Sequence, residues 1–138
     1  MQRLVQALPV WAAALWWGSL TTIGFLVVPL LFAHLATPAQ AGAMAARLFT
    51  AQTWVTVACT GLLLLASRPS EGALDVALQS VRLFVLGGVL LALLAEFAVA
   101  PRIVARDNLA LWHRVGSAMY LLQWLCAALT LRRLLRRP

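Results

Sequence analysis

Apolar residues come in four long blocks with short polar interruptions between them. The blocks run from about Val10 to Leu35, Arg47 to Ala66, Val81 to Val104, and Leu109 to Leu131. Runs this continuous show neither strand alternation nor the one-sided spacing of a soluble surface helix. At about 1.5 Å of rise per residue, such a block is long enough to cross a hydrocarbon core of about 30 Å, the longer ones with tilt. A backbone in lipid must satisfy its own N–H and C=O groups, which a helix does. The expected fold is therefore all-α, a polytopic membrane protein forming a four-transmembrane-helix bundle. It is expected to be a single domain over residues 1–138, with helices at about 10–35, 38–66, 74–104 and 109–131.

The interruptions refine these bounds. Thr37-Pro38-Ala39-Gln40 reads as a capping box with proline at the first helical position, so residues 36–37 form a tight turn and the second helix starts at 38. Arg68 to Ser80 is the longest connection and holds Pro69, Ser70, Glu71 and Gly72; Leu74, Ala77, Leu78 and Val81 then fall at helical spacing, which starts the third helix near 74. Residues 105–108 make a short polar turn, with Asp107 or Asn108 as the expected N-cap of the fourth helix.

Composition agrees with lipid as the solvent. Of 138 residues, 63% are hydrophobic and 11% charged, whereas soluble domains are about a quarter charged. The net charge is +7, and every basic residue is arginine. Those arginines flank the apolar blocks and belong to no RNA- or DNA-binding module, so the expected partner is the lipid bilayer and not nucleic acid. With four crossings, the N-terminus, the second connection and the C-terminus share one side. That side carries seven arginines (Arg3, Arg68, Arg82, Arg132, Arg133, Arg136, Arg137) against four on the other (Arg47, Arg102, Arg106, Arg114). The positive-inside rule puts both termini in the cytoplasm. Arg3 ahead of an apolar stretch resembles a signal peptide, but the stretch runs to Leu35, beyond the 7–15 residues or so of such a region, and is read as an uncleaved first helix.

The two halves resemble each other. Phe25-Leu26-Val27-Val28-Pro29 corresponds to Phe97-Ala98-Val99-Ala100-Pro101, 72 residues on. Arg47, Thr50, Ala51 and Cys59 correspond to Arg114, Ser117, Ala118 and Cys126, 67 residues on. Two repeated helical hairpins running the same way are related by an axis along the membrane normal. Pro29 and Pro101 each deprive the carbonyl four residues earlier, on Phe25 and Phe97, of its partner. Thr21 and Thr22 are the expected local replacements near Phe25. The paired kinks either bend the helices for packing or open a small polar cavity.

Glu96 is the one acid well inside an apolar block. Burying a carboxylate in lipid is costly, so Glu96 is expected to face the bundle interior, paired or protonated. The topology brings a candidate polar cluster toward it: His34 ends the first helix, Arg47 lies early in the second, Arg102 follows in the third, and His113-Arg114 open the fourth. Three uses compete: an ion pair or hydrogen-bonded network of Glu96 with Arg47 or Arg114, a proton or substrate relay through Glu96, and a metal or haem site using His34 and His113. No ligand-spacing motif favours the last, so no metal and no cofactor is expected. Cys59 and Cys126 lack CxxC spacing and read as small apolar residues. Trp11, Trp54, Trp112 and Trp124 fit interfacial belts or packing, with Trp16-Trp17 deeper. Gly18, Gly24, Gly61, Gly87, Gly88 and Gly116 allow close helix approach, within the bundle or in a homo-oligomer or larger membrane complex.

Leu15-Trp16-Trp17-Gly18, the Phe25 to Ala33 segment, Ala41-Gly42 and Arg47-Leu48-Phe49 resemble a bacterial family of unknown function related to eukaryotic transmembrane protein 205. Glu96, Pro101-Arg102-Ile103, His113-Arg114, Ser117 and Tyr120-Leu121-Leu122 fit the same pattern. The resemblance covers nearly the whole chain. It implies a four-helix protein of the bacterial cytoplasmic (inner) membrane, and the drug-resistance association of the eukaryotic relative implies export or trafficking. A more distant similarity is to copper-resistance D-like membrane proteins, whose relatives hold histidines deep within helices, unlike His34 and His113. The reading from sequence is a non-enzymatic membrane protein, a small transport or accessory subunit. The alternatives are a metal- or haem-linked redox protein and a helix-packing scaffold.

Overall fold

The computed structural model describes residues 2–66 and 73–136, with side chains at 7–66 and 79–136. The described residues form four helical rods. The first joins α1 (Gln2–Thr22) to α2 (Val28–His34) through a π-helical turn at Ile23–Val27. The second is α3 (Pro38–Ala66). The third joins α4 (Ala73–Leu94) to α5 (Ala100–Val104) through a second π-helical turn at Ala95–Val99, and the fourth is α6 (Leu109–Leu135). The first rod thus begins well before residue 10 and the last runs past residue 131. Residues 67–72, in the first half of the Arg68–Ser80 connection, and Arg137 lie outside the described residues, and Arg3 is described in its backbone alone.

Each rod packs against its neighbours in sequence, and the fourth closes on the first: α1 meets α3, α3 meets α4, α4 meets α6, and α6 meets α1. The result is an up-and-down four-helix bundle with α1 opposite α4 and α3 opposite α6. One end carries the termini; the other, the turn end, carries residues 35–37 and 105–108.

The turn end is closed differently on its two sides. Thr37 Oγ1 accepts the Gln40 backbone N–H at 3.2 Å, the expected cap of α3. Asn108 stands at the N-cap of α6 but makes no side-chain cap bond; it and Arg106 adopt left-handed backbone (φ 41° and 57°) to reverse the chain in four residues. The expected Asp107/Asn108 cap is thus a conformational device instead.

The bundle is apolar outside and partly polar inside. Trp11, Leu83, Phe97 and Val104 are among many large side chains left exposed, while Gln52, Thr53, Thr56, Thr60, Gln123 and Thr130 are buried. Exposed apolar area on this scale is compatible with a membrane protein. Among the described residues, three helices are long and apolar enough to cross a membrane: Ala7–His34, Pro38–Ala66 and Gln79–Val104. The expectation of four such helices is corrected here. The uncharged part of α6, between Arg114 and Arg132, is short and diluted by Ser117, Gln123 and Thr130.

Candidate functional site

Pro29 and Pro101 each sit just beyond a π turn, whereas Pro9 lies within α1. Val28 N–H bonds the Ile23 carbonyl and Ala100 N–H bonds the Ala95 carbonyl, so Pro29 and Pro101 become the second residues of α2 and α5. A proline ring collides with the carbonyl four residues back. Widening the preceding turn relieves that collision without a sharp bend, and such π bulges are frequent at functional sites. The two π turns are separated by the same offset as the two prolines.

Glu96 lies inside the second π turn, roughly 12 Å along the rod from its end at Val104. Its Oε1 accepts the Thr50 hydroxyl of α3 at 2.8 Å. Among the described residues it forms no ion pair with Arg47 or Arg114, whose side chains are exposed. The hydroxyl of Thr50 is the group that faces the carboxyl group. The other cluster candidates disperse. The Arg102 guanidinium stacks over Trp112 at 4.3 Å, His34 Nδ1 lies 3.1 Å from the Leu30 carbonyl, and His113 is exposed. Among the described residues, no three His, Cys, Asp or Glu side chains come together to hold a metal ion. Cys59 is a buried free thiol and Cys126 a half-buried one.

Thr21 and Thr22 do not serve Phe25. Their hydroxyls donate back to the Trp17 and Gly18 carbonyls at 2.8 and 2.9 Å, as helical threonines do. The carbonyl beside the first π turn that gains an external donor is Leu20, which accepts the Tyr120 hydroxyl of α6 at 2.7 Å. Tyr120 stacks edge-on against Phe49 and fills the space above Gly24, where a Cβ would overlap its ring. Trp124 Nε1 donates to Thr21 Oγ1 at 2.9 Å, and its ring packs on Phe25 and Trp17.

A polar axis missed in the sequence runs through the bundle. Gln52 Nε2 donates to Ser19 Oγ at 3.0 Å and lies 3.5 Å from Thr56 Oγ1, which lies 3.5 Å from Gln123 Oε1 on the opposite helix. The 3.5 Å links are at the long limit of a hydrogen bond. Thr56 and Gln123 are 67 residues apart. Trp16 and Gly88, at the offset of the prolines, also meet across the centre: the ring of Trp16 lies where a Cβ on Gly88 would go. The Trp16 indole N–H is buried without a hydrogen-bond partner, so packing fixes this ring. The signal available in sequence was Gln52, Thr56 and Thr60 recurring every fourth position inside an apolar block. Six of the glycines divide: Gly24 and Gly88 are closely approached, Gly87 and Gly116 make ordinary contacts, and Gly18 and Gly61 face open space.

An apolar exterior, three helices of spanning length and a polar interior define a small helical protein of membrane-protein character. Within that class, the chain belongs to the family described as domain of unknown function DUF4149, whose model matches residues 11–111. None of the curated proteins and none of the solved structures compared with the chain matches it.

Proposed function

We propose that the chain is a four-helix transport subunit in which Glu96 takes up a proton or small cation, and the polar axis of Ser19, Gln52, Thr56 and Gln123 continues the path. The observation that carries this reading is the partner of Glu96: a hydroxyl, not a cation, within a helix of spanning length. An acid neutralised by arginine would be a structural device; one whose partner is a hydroxyl has no fixed counter-charge and is open to a small cation or a proton. The resemblance to the transmembrane protein 205 relatives supports export. The expected result is a voltage-driven proton flux in liposomes loaded with a pH-sensitive dye, above that of empty liposomes. Glu96→Gln lowers it at least about tenfold with the protein still monodisperse, as proton relays require. A wild-type flux no greater than empty liposomes, or an unchanged Glu96→Gln variant, defeats the relay.

The same proposal makes α6 the fourth crossing, in the bacterial cytoplasmic membrane with both termini inside. Contact of α6 with both α1 and α4, and the arginine excess at the terminal end, support it. Single cysteines at Gln2 and Arg136, in a chain lacking Cys59 and Cys126, should react with an impermeant maleimide only after spheroplast lysis. Cysteines at Ala36 and Asp107 should react before it. Termini labelled from opposite sides would remove the fourth crossing.

The two hairpins form, in this reading, a parallel repeat about an axis along the membrane normal. Support comes from corresponding positions that meet at the centre, Trp16 with Gly88 and Thr56 with Gln123, and from the corresponding π turns.

A further inference from the structure

A groove of about 290 Å³ runs along the terminal half of α6, lined by Trp17, Ala128, Leu131, Arg132, Leu135 and Arg136. Its volume is just below the roughly 300–1,000 Å³ of small-molecule pockets, room for a length of hydrocarbon chain and little more. The walls are apolar from Trp17 to Leu135, and the two arginines stand at the terminal end. The basic residues of this tail are used differently. Arg133 is committed to α4: its Nη1 donates to the Ser80 carbonyl at 2.8 Å, and its guanidinium lies over Phe84 at 4.7 Å. Arg132 and Arg136 are one turn apart on another face, both exposed. Like charges at this spacing repel and weaken the helix unless an anion lies between them. The acids with described side chains, Glu96 and Asp107, both lie toward the turn end, so neither supplies that anion.

We infer that the groove holds an anionic phospholipid, with its phosphate between Arg132 and Arg136 and one acyl chain lying against Leu131 and Trp17. Charge complementarity selects this occupant. Guanidinium pairs grip phosphate oxygens in a fixed fork, and basic clefts between membrane helices recruit anionic headgroups. A zwitterionic lipid brings the same phosphate with a cation attached, which the arginine pair repels. The inference rests on the chain lying in a bilayer and is independent of the relay through Glu96.

The test is native mass spectrometry of the detergent-solubilised protein, titrated with dioleoylphosphatidylglycerol or dioleoylphosphatidylcholine. Retention of the glycerol lipid is expected to be about tenfold tighter than that of the choline lipid. Arg132→Gln with Arg136→Gln should abolish the difference. Arg102→Gln with Arg106→Gln, an equal charge loss at the turn end, should leave it intact. Ala128→Trp keeps both arginines but fills the groove, and should also abolish it. Equal retention of the two lipids, equal loss in both arginine pairs, or full retention in Ala128→Trp overturns the inference. Failure of the membrane reading looks different: the protein would then be extracted without detergent.

Discussion

Gly88→Trp is expected to abolish the folded protein, and Trp16→Gly in the same chain is expected to restore most of it. Trp16 is completely buried, and two atoms of its six-membered ring occupy the place of a Cβ on Gly88. A ring enclosed on all sides cannot swing away, so even Gly88→Ala should cost about 1–3 kcal/mol through overpacking. Trp16→Gly alone empties the centre and should cost about 3–5 kcal/mol or more, the range for large core aromatics cut to alanine. If the halves are related by an axis between these positions, the double variant supplies the same ring to the same space from α4 instead of α1. Thermal unfolding of the detergent-solubilised variants measures the coupling. Losses that merely add, as they do for independent sites, would show that the two positions do not exchange and would remove the axis.

The rods were legible because an apolar block of about twenty residues without strand alternation reads as a helix, and its polar interruptions as the turns. The turn at 36–37 and the Thr37 cap follow from short-range chemistry, which sequence carries well. Side-chain direction does not follow in this way. Glu96 and Arg47 were assigned to the same end of the bundle, yet the partner of Glu96 is Thr50, about one turn further along α3, while the Arg47 side chain is exposed. Pro101 announced a disturbance in the helix; whether the helix bends or widens is decided by the neighbours it packs on. The buried glutamines were hidden by their context. In a block dominated by leucine and alanine, Gln52 and Gln123 look like tolerated exceptions until their helices are set facing each other across the axis. The same residues explain the overestimate of α6: a helix that turns Gln123 and Thr130 inward loses apolarity without gaining an exposed polar face.

Gly24→Ala is expected to be more damaging than Tyr120→Phe, although only the latter deletes a hydrogen bond. A Cβ on Gly24 would overlap the Tyr120 ring, which is anchored by its hydroxyl on Leu20 and braced edge-on by Phe49 at 5.3 Å. Displacing it costs overpacking, about 1–3 kcal/mol, and sacrifices the hydrogen bond as well. Tyr120→Phe keeps the ring in place and forfeits only that bond, and such interhelical bonds in membrane proteins average about 0.6 kcal/mol, reaching about 1.7. Thermal unfolding in detergent ranks the two. Adding Tyr120→Leu to Gly24→Ala should recover part of the loss, because the colliding ring is gone. An alanine variant no worse than Tyr120→Phe would mean that the ring yields freely and does not brace the first π turn. The position has wider meaning through the proposed repeat, where Gly24 corresponds to Glu96. One half uses this site for a carboxyl group reaching Thr50; the other gives the space to a tyrosine from α6. A bundle built from two similar hairpins would thereby carry the half-buried acid at this position in one half only, and in the other the ring of Tyr120 stands over the glycine.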